Sequence, residues 1–276
     1  MADHITSDEA AAIAARYGAA EGEFGHWNAI LATMLAHRSV RAFTNQPLPQ
    51  GTVETLVAAA QSAATSSNMQ TWSVVAVTDA ATRAKFAEWT GNQRQVNEAP
   101  LVIVWLADIS RAERMGEARG QMMETLPYTE IAITAIIDAA LASQNAALAA
   151  ESMGLGTCYL GSLRNQPEQV AAILGLPKGC FAVFGLCVGH PDPARPSPIR
   201  PRLPQSVVLY HERYDASHEA EGIALYDARF TEHQRSVGLP QSGWVSRVMD
   251  RMGRMRGLSG RETMKAALAA LGFPLD

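Results

Sequence analysis

The segment from Tyr128 to Met153 constrains the fold of this chain most, because it runs for more than two dozen residues without glycine or proline. Its residues are apolar nearly all round, and a helix of that composition is buried on most of its faces. In a chain of this length, a subunit interface is a natural place to bury it. Asp138, Gln144 and Asn145 interrupt the apolar run and would be expensive in hydrocarbon, which argues against a membrane span.

The composition excludes several classes of protein. Hydrophobic residues make up 47% and charged residues 18% of the chain, as in soluble globular proteins. A net charge of -4 argues against non-specific binding to nucleic acid. The N-terminus lacks the basic and apolar runs of a signal peptide. Cys158, Cys180 and Cys187 show no metal-binding spacing, so we expect reduced, buried thiols in a cytoplasmic protein without a metal site.

Apolar periodicity and turn residues predict an α+β fold. Helices are expected over residues 7–17, 27–36, 53–64, 80–90, 128–153 and 168–174. Strands are expected over residues 74–77, 101–106, 157–160 and 181–188, and the fully apolar run 101–106 is expected at the centre of a sheet. The proline- and arginine-rich stretch 191–204 is expected to be irregular, and the chain from about Tyr210 onward is expected to be helical again.

Two basic motifs have the chemistry of a phosphate site. The first contains His37, Arg38, Ser39 and Arg41, and the second contains Arg200 and Arg202. Guanidinium groups donate paired hydrogen bonds to phosphate oxygens, and a hydroxyl adds a further donor. Taken alone, the first motif is more typical of a solvated basic turn, and the second is also typical of a surface loop in a polyproline-like conformation.

Three uncharged motifs supply hydroxyl, amide and glycine groups. They comprise Thr65, Ser66, Asn68 and Gln70; then Gln93; then Tyr159, Leu160, Gly161 and Ser162. Hydroxyls and amides suit ribityl hydroxyls and a pyrimidine edge, while a glycine lets the backbone approach a planar ligand closely. Each motif alone is also typical of an ordinary turn. Together with the basic motifs they suit flavin mononucleotide (FMN), and no dinucleotide-binding glycine motif, P-loop or nucleophile elbow occurs.

The order HRSVRAF, ATSSNMQTW, TGNQ, YLGSLRN and IRPRLP resembles the nitroreductase family of FMN flavoproteins. The chain is most similar to the NADPH-dependent, oxygen-insensitive nitroreductase and flavin reductase branch, over roughly residues 37–210 and more weakly over 224–230. It departs from the family pattern at Thr65, where Ser is common, at Thr71, where Pro is common, and at Arg200, where Lys is usual. An N-terminal extension also precedes the first motif.

The resemblance implies a fold and a set of site residues. It implies a central, mostly antiparallel sheet flanked by helices in an intertwined homodimer with FMN at the interface. Gln93 would bind the pyrimidine, and residues 159–162 would line the ring. The phosphate and the ring edge would be bound by residues of the two basic motifs: His37, Arg38, Ser39, Arg41, Arg200 and Arg202. Thr65, Ser66 and Asn68 would come from the other subunit. The expected segments are an N-terminal helical extension (1–36), an FMN-binding core (37–210) and a C-terminal helical extension (211–276) that completes the dimer and the substrate pocket.

The implied activity is an NAD(P)H oxidoreductase that passes hydride from NADPH through flavin N5 to nitroaromatics, quinones or free flavin by ping-pong turnover. No protein acid or base is needed for hydride transfer, so no catalytic residue is expected. Arg235 and Arg261 are candidates for the 2′-phosphate of NADPH, although a solvated basic tail explains them equally well. Two alternatives stay open: a specialised flavin or single-metabolite reductase of the same fold, and a non-catalytic protein that stores or senses FMN.

Overall fold

A computed structural model describes residues 7–18 and 26–276. Within that part of the chain the helices are α1 (Ser7–Tyr17), α2 (Ala29–Leu35), α3 (Thr52–Gln61), α4 (Ala80–Trp89), α5 (Arg94–Glu98), α6 (Ser110–Arg119), α7 (Thr129–Ser152), α8 (Pro167–Leu174), α9 (Glu219–Ser236), α10 (Gly243–Met252) and α11 (Met264–Ala270). The strands are β1 (Trp72–Val77), β2 (Leu101–Asp108), β3 (Gly156–Leu160) and β4 (Cys180–Gly189).

The four strands form one sheet in the order β1-β2-β4-β3, and each neighbouring pair is antiparallel. The central strand β2 is buried along its whole length, as its apolar sequence predicts. The α+β class, the antiparallel sheet and the central position of this run are therefore confirmed. The three cysteines are also buried and unbridged, as predicted.

Helices cover both faces of the sheet. Alternate residues of a strand point to opposite faces, and since the central strand is apolar at nearly every position, both faces need to be covered. On one face, Leu101, Ile103 and Trp105 pack against α3 and α7. On the other face, Val102 and Val104 pack against a cluster that includes α4, α5 and α8. The sheet is thus the middle of three layers.

Helix α7 has two faces of different character. Small residues, among them Ala135, Ala139, Ala142 and Ala146, are completely buried on the sheet side. On the opposite side Ile133, Ile137 and Leu141 are 47%, 50% and 43% exposed. The prediction that this helix is buried on most faces is therefore not met within a single chain, because isoleucine and leucine lie at helical spacing on its outer side.

The length and composition of α7 would allow it to cross a membrane, but half of its most apolar window is buried inside the chain. The completely buried alanines pack on the sheet, and Asp138 on the same helix is 1% exposed and engaged in hydrogen bonds. These features are typical of a core helix rather than of a lipid-facing one.

Two helices were not predicted from the sequence. Helix α5 has only five residues, and α6 (SRAERMGEAR) has so few apolar residues that no core-facing stripe is visible in its sequence. The stretch 191–204 contains no helix or strand, as predicted, and the region after Tyr210 is largely helical, as predicted.

The described residues group into two compact units, one formed by residues 7–18, 26–38 and 198–259 and the other by residues 39–197 and 260–276. In the first, Tyr226 and Phe230 of α9 are buried, and Trp244 of α10 packs edge-on against Tyr226. In the second, Phe273 packs against Phe181 and is 2% exposed, so the last residues belong with the sheet. The three consecutive segments expected from the sequence stay a prediction, because a grouping by packing does not test where functional segments begin and end.

Candidate functional site

Gln93 and Ser162 lie in direct contact, although they are far apart in sequence. The Gln93 Nε2 donates to Ser162 Oγ at 2.7 Å and to the Thr90 carbonyl at 2.9 Å. The Gln93 Oε1 accepts from Gln95 Nε2 at 2.7 Å. The turn before α5 and the turn after β3 thus bring an amide and a hydroxyl of two separate motifs together.

The segment 39–41 lies beside β3. Val40 N donates to the Thr157 carbonyl at 2.8 Å, and Ser39 forms a parallel bridge with Thr157. A side chain at Gly156 would place its Cβ 2.7 Å from Val40, so only glycine allows this approach. Ser39 and Arg41 are consequently held at the strand that leads into residues 159–162.

An ionic cluster anchors the chain just after Arg41. Glu98 accepts from Phe43 N at 3.1 Å and from both terminal nitrogens of Arg195 at 3.0 Å each. Burial alone would raise the pKa of Glu98, but the hydrogen bonds from Arg195 and Phe43 hold that pKa below its ordinary value. Arg195 is also paired with Asp192 at 2.7 Å. This cluster stabilises the backbone that presents Arg41.

The loop that carries Thr65, Ser66, Asn68 and Gln70 has an unusual backbone. Ser67, Asn68 and Gln70 have φ values of 47°, 55° and 52°, in the left-handed region that non-glycine residues seldom adopt. Such conformations cost about 1–3 kcal/mol each and persist only where the surroundings hold them. Asn tolerates this region better than Ser or Gln do. The side chains of residues 66–70 are exposed in the single chain.

Asp138 of α7 holds this loop. Its Oδ2 accepts from Thr65 Oγ1 at 2.6 Å and from the N and Oγ1 of Thr71 at 3.0 and 2.9 Å, while its Oδ1 accepts from Ser66 N at 3.0 Å. Burial alone would raise the pKa of Asp138, yet these hydrogen bonds outweigh it and hold the pKa below its ordinary value. One ionised carboxylate therefore secures both ends of the strained loop.

Arg111 of α6 holds the same loop from a second direction. Its Nη1 donates to the Gln70 carbonyl at 2.9 Å and its Nη2 to Ser73 Oγ at 3.0 Å. Ser73 Oγ in turn donates to Asp108 at 2.5 Å. The backbone of Gln70 is thus held by Arg111, while its exposed side-chain amide lies 3.4 Å from Asn68 Oδ1.

Tyr159 and Leu160 contribute differently from Gly161 and Ser162. The Tyr159 hydroxyl lies 3.2 Å from Ser143 Oγ on α7, and its ring packs edge-on against Phe184. The Leu160 side chain is 2% exposed in the core, so only its backbone is available to a ligand. At Gly161, an added Cβ would meet nothing closer than the flexible Arg164 guanidinium, at 3.4 Å.

The remaining phosphate candidates belong to the other compact unit. Arg38 is exposed, and its Nε donates to the Ala36 carbonyl at 3.3 Å. Arg202 is also exposed, and its Nη1 donates to the carbonyls of Arg200 and Pro201 at 3.1 and 3.2 Å. His37 N donates to the Met34 carbonyl at 3.2 Å, where α2 ends.

The coenzyme candidates occupy different settings. Arg235, near the end of α9, pairs with Glu232 and donates from Nε to Gln241 Oε1 at 3.3 Å. Arg261 opens a short turn before α11. Across the described residues, His, Cys, Asp and Glu form no group of three or more that is arranged to hold a metal.

The donor set fits FMN. Arginines and a serine supply phosphate donors, the paired Gln93 and Ser162 supply groups for a polar heterocycle edge, and a preformed loop displays further hydroxyl and amide groups. Sequence reasoning missed Asp138 as a loop anchor, together with Arg111 and Glu98. The available signal was an acidic residue within the apolar run of α7, which was used only to argue against a membrane span.

Comparisons with known proteins agree with this chemistry. Residues 34–190 match the model of the nitroreductase family, and residues 200–276 match that of the nitroreductase family C-terminal domain. The chain is 36% identical over 230 residues to a protein of Bacillus subtilis (strain 168) named FMN reductase (NADPH), an alignment that covers 82% of this chain and 92% of that one.

Solved structures give the same result. The structure of B. megaterium NfrA1 aligns with a TM-score of 0.83 at 36% identity, covering 90% of this chain and 100% of the other. The NADPH:FMN oxidoreductase from Vibrio harveyi, solved with NAD+, aligns with a TM-score of 0.79 at 32% identity, covering 90% and 99%.

Proposed function

Because this chain belongs to the nitroreductase family and is an FMN-dependent NAD(P)H oxidoreductase, we propose that it oxidises NADPH and reduces nitroaromatics, quinones or free flavin by ping-pong turnover. When bound, FMN supplies the redox chemistry by taking up hydride at N5 and passing electrons to the acceptor. The protein's own residues bind and orient the FMN and shield it from solvent. NADPH as the donor is favoured by the names of the B. subtilis and V. harveyi relatives.

The contact between Gln93 and Ser162 is the observation that carries this proposal. It joins two motifs whose order along the chain is that of the family, and it presents an amide beside a hydroxyl at 2.7 Å. In our proposal these groups meet the polar edge of the flavin, and the backbone of 160–162 lines its ring. Gly161 leaves room for that approach.

We assign the anionic end of FMN to the basic motifs. Six residues of these motifs would bind the phosphate and the ring edge: His37, Arg38, Ser39, Arg41, Arg200 and Arg202. The loop residues Thr65, Ser66 and Asn68 would contact the flavin of the other subunit, and Gln70 would contribute to the cofactor site from the same loop. Arg235 or Arg261 would take the 2′-phosphate of NADPH.

A homodimer is part of the proposal. Its support within this chain is the outer face of α7, where Ile133, Ile137 and Leu141 are each more than two-fifths exposed. Three large apolar side chains in one row favour burial against another protein surface. A soluble, cytoplasmic location completes the proposal, and the reduced thiols are consistent with it.

The test is an absorption spectrum of the purified protein, taken before and after anaerobic NADPH. We expect a visible flavin band that bleaches with NADPH and returns when a quinone is added. A band that persists under both NADPH and NADH would instead indicate storage or sensing of FMN. A colourless protein that FMN cannot reconstitute would reject the flavin site altogether. Steady-state rates with a quinone, a nitroaromatic and free FMN would then separate a broad reductase from a specialised one.

A further inference from the structure

Arg16 lies on a helix outside the family match. The matched residues begin at 34, whereas α1 spans Ser7–Tyr17. The helix is alanine-rich with Asp8 and Glu9 in its first turn, a favourable arrangement at the positive end of a helix dipole. Gly18, at a φ of 84°, follows its last residue. Nothing in the proposed function gives this helix a role.

The Arg16 side chain is 4% exposed, which is unusual because an arginine is seldom fully buried without partners. Its Nη2 donates to the carbonyls of Leu35 and His37 at 2.6 and 2.7 Å. Its Nη1 donates to the carbonyl of Arg200 at 2.8 Å. The two terminal nitrogens of one guanidinium therefore bind two chain segments that are more than 150 residues apart.

The backbone of Arg16 repeats this connection, because its carbonyl accepts from Arg202 N at 2.9 Å. All of these contacts lie within one compact unit. The segments joined are the end of α2, which leads into His37 and Arg38, and the irregular segment with Arg200 and Arg202. These are the two basic motifs assigned to the phosphate.

The physical reason for the connection is an excess of carbonyl acceptors. The last carbonyls of a helix have no partner within the helix, and a cation is favoured there. Residue 200 lies in a stretch without helix or strand, so its carbonyl also needs a donor from elsewhere. A guanidinium with its fork of donors satisfies both segments at once and sets the distance between them.

We propose that Arg16 is a positioning residue for the FMN phosphate: the N-terminal helix uses it to hold the His37–Arg38 and Arg200–Arg202 segments in register. The inference rests on the proposed function, because it takes these motifs to bind the phosphate. Arg16 itself is buried against carbonyls, so it acts through the segments it joins.

The test compares FMN with riboflavin, which lacks the phosphate. Arg16→Met keeps the length and apolar character of the side chain but removes all of its donors. We expect Arg16→Met to release FMN on dilution of the loaded, full-length enzyme about tenfold more readily, which corresponds to about 1.4 kcal/mol. Competition with riboflavin should give the same riboflavin affinity as the wild type.

Arg83→Met is the matched control. Arg83 Nη1 also bridges two backbone carbonyls, those of Asn97 and Ala99, but it lies in the other compact unit and touches neither basic motif. We expect this variant to lose thermal stability while keeping the wild-type preference for FMN over riboflavin. An Arg16→Met protein that retained that preference would overturn the inference.

The experiment also distinguishes a failure of the variant to fold, a failure of the proposed function and a failure of the role of Arg16. If Arg16→Met does not fold, Arg16→Lys takes its place, because it keeps the charge but has one nitrogen in place of two terminal ones. We expect Arg16→Lys to lose part of the preference for FMN over riboflavin. Full retention of that preference would overturn the inference. A wild-type protein that binds neither flavin would instead reject the proposed function. A wild type that prefers FMN, with an unchanged preference in both Arg16 variants, would reject the role of Arg16 alone.

Discussion

Thr71 and Asp138 are joined twice, because the N and the Oγ1 of Thr71 both donate to the same carboxylate oxygen, at 3.0 and 2.9 Å. The other carboxylate oxygen accepts from Ser66 N at 3.0 Å. The two backbone N–H groups therefore need an acceptor on each side of the carboxyl. An asparagine offers only one acceptor oxygen and would point an NH2 group at one of these donors.

We predict that Asp138→Asn weakens FMN retention about tenfold, a change of about 1.4 kcal/mol. One end of the strained 65–71 loop would be released, and the side chains of Ser66, Asn68 and Gln70 would lose their fixed presentation. FMN fluorescence on dilution measures the affinity. Hydrogen exchange at the amides of Ser66 and Thr71 measures the release of the loop directly.

Ala146→Gly is the control for Asp138→Asn. It lies on the same helix, completely buried against the sheet, and weakens the fold through helix propensity and lost packing without touching the loop. We expect Ala146→Gly to lower the melting temperature and leave FMN affinity unchanged. If both variants lowered stability and neither changed FMN affinity, Asp138 would be only a stabilising residue.

The same carboxylate predicts a pH dependence of stability. Burial alone would raise the pKa of Asp138, but the hydrogen bonds from Thr65, Ser66 and Thr71 lower it. A carboxyl whose pKa is lowered in the folded state stabilises the fold above its unfolded pKa of about 3.9, and that stabilisation disappears as the pH falls through the folded pKa.

We therefore expect the unfolding free energies of the wild type and Asp138→Asn, measured with urea, to differ most near neutral pH. The difference should shrink as the solution is acidified below about pH 4. A difference that stayed constant over the whole acidic range would show that the charge of Asp138 contributes nothing to the fold.

Arg41→Ala should weaken FMN retention, because it removes a charge from the segment held beside β3. The guanidinium of Arg41 makes a 3.3 Å contact to the Ser39 carbonyl and is exposed, so the fold should tolerate its loss. Gel filtration of the yellow protein is a sufficient measurement. Arg119→Ala, an exposed arginine at the end of α6, is the control. Full colour in the Arg41→Ala protein would remove Arg41 from the site.

Ile137→Asp should convert the proposed homodimer into monomers. Ile137 is half exposed in the single chain and lies centrally in the row with Ile133 and Leu141. A charge buried in an apolar interface is strongly unfavourable. Sedimentation measures the oligomeric state. Ile173→Asp on α8, at a site 40% exposed, is the control and should leave the dimer intact. A dimeric Ile137→Asp protein would exclude this face of α7 as the interface.

Arg261→Ala should raise the KM for NADPH more than that for NADH if Arg261 meets the 2′-phosphate. The coenzymes differ only in that group, so the ratio of the two effects isolates it. Arg235→Ala is the comparison, because Arg235 already pairs with Glu232. Equal changes for both coenzymes in the Arg261 variant would exclude Arg261, and a selective change in the Arg235 variant would transfer the role.

The sequence predicted the parts of the fold with strong local signals. The apolar run of β2 and the glycine- and proline-free α7 were located because their patterns extend over many residues. Short or polar helices such as α5 and α6 were missed because propensity alone does not distinguish them from loops. The contact of Gln93 with Ser162 depends on tertiary packing, and only the resemblance to a family linked those residues in advance.

The anchoring residues were the hardest to foresee. Asp138 and Arg16 act by binding backbone groups of distant segments. Backbone carbonyls and amides are common to nearly all residues, so the sequence does not show which of them are bound. For Asp138, an acidic residue in an otherwise apolar helix was the available clue. That clue showed a charged group within an apolar run without identifying its partners, and Arg16, on a helix that also carries Asp8 and Glu9, offered no such clue.

The packing of Phe273 against Phe181 also bears on how the chain is made. The compact unit that contains the sheet is built from two stretches of the chain. The first ends at residue 197, and the second begins only at residue 260. The apolar cluster around Ala135, Ala139 and Phe181 is completed by Phe273, which is synthesised after all of the strands. On the ribosome, the sheet can pair its strands early but must wait for this late residue to close its core. We therefore expect the sheet unit to remain a substrate for chaperones until residue 273 has left the ribosome and packed against Phe181.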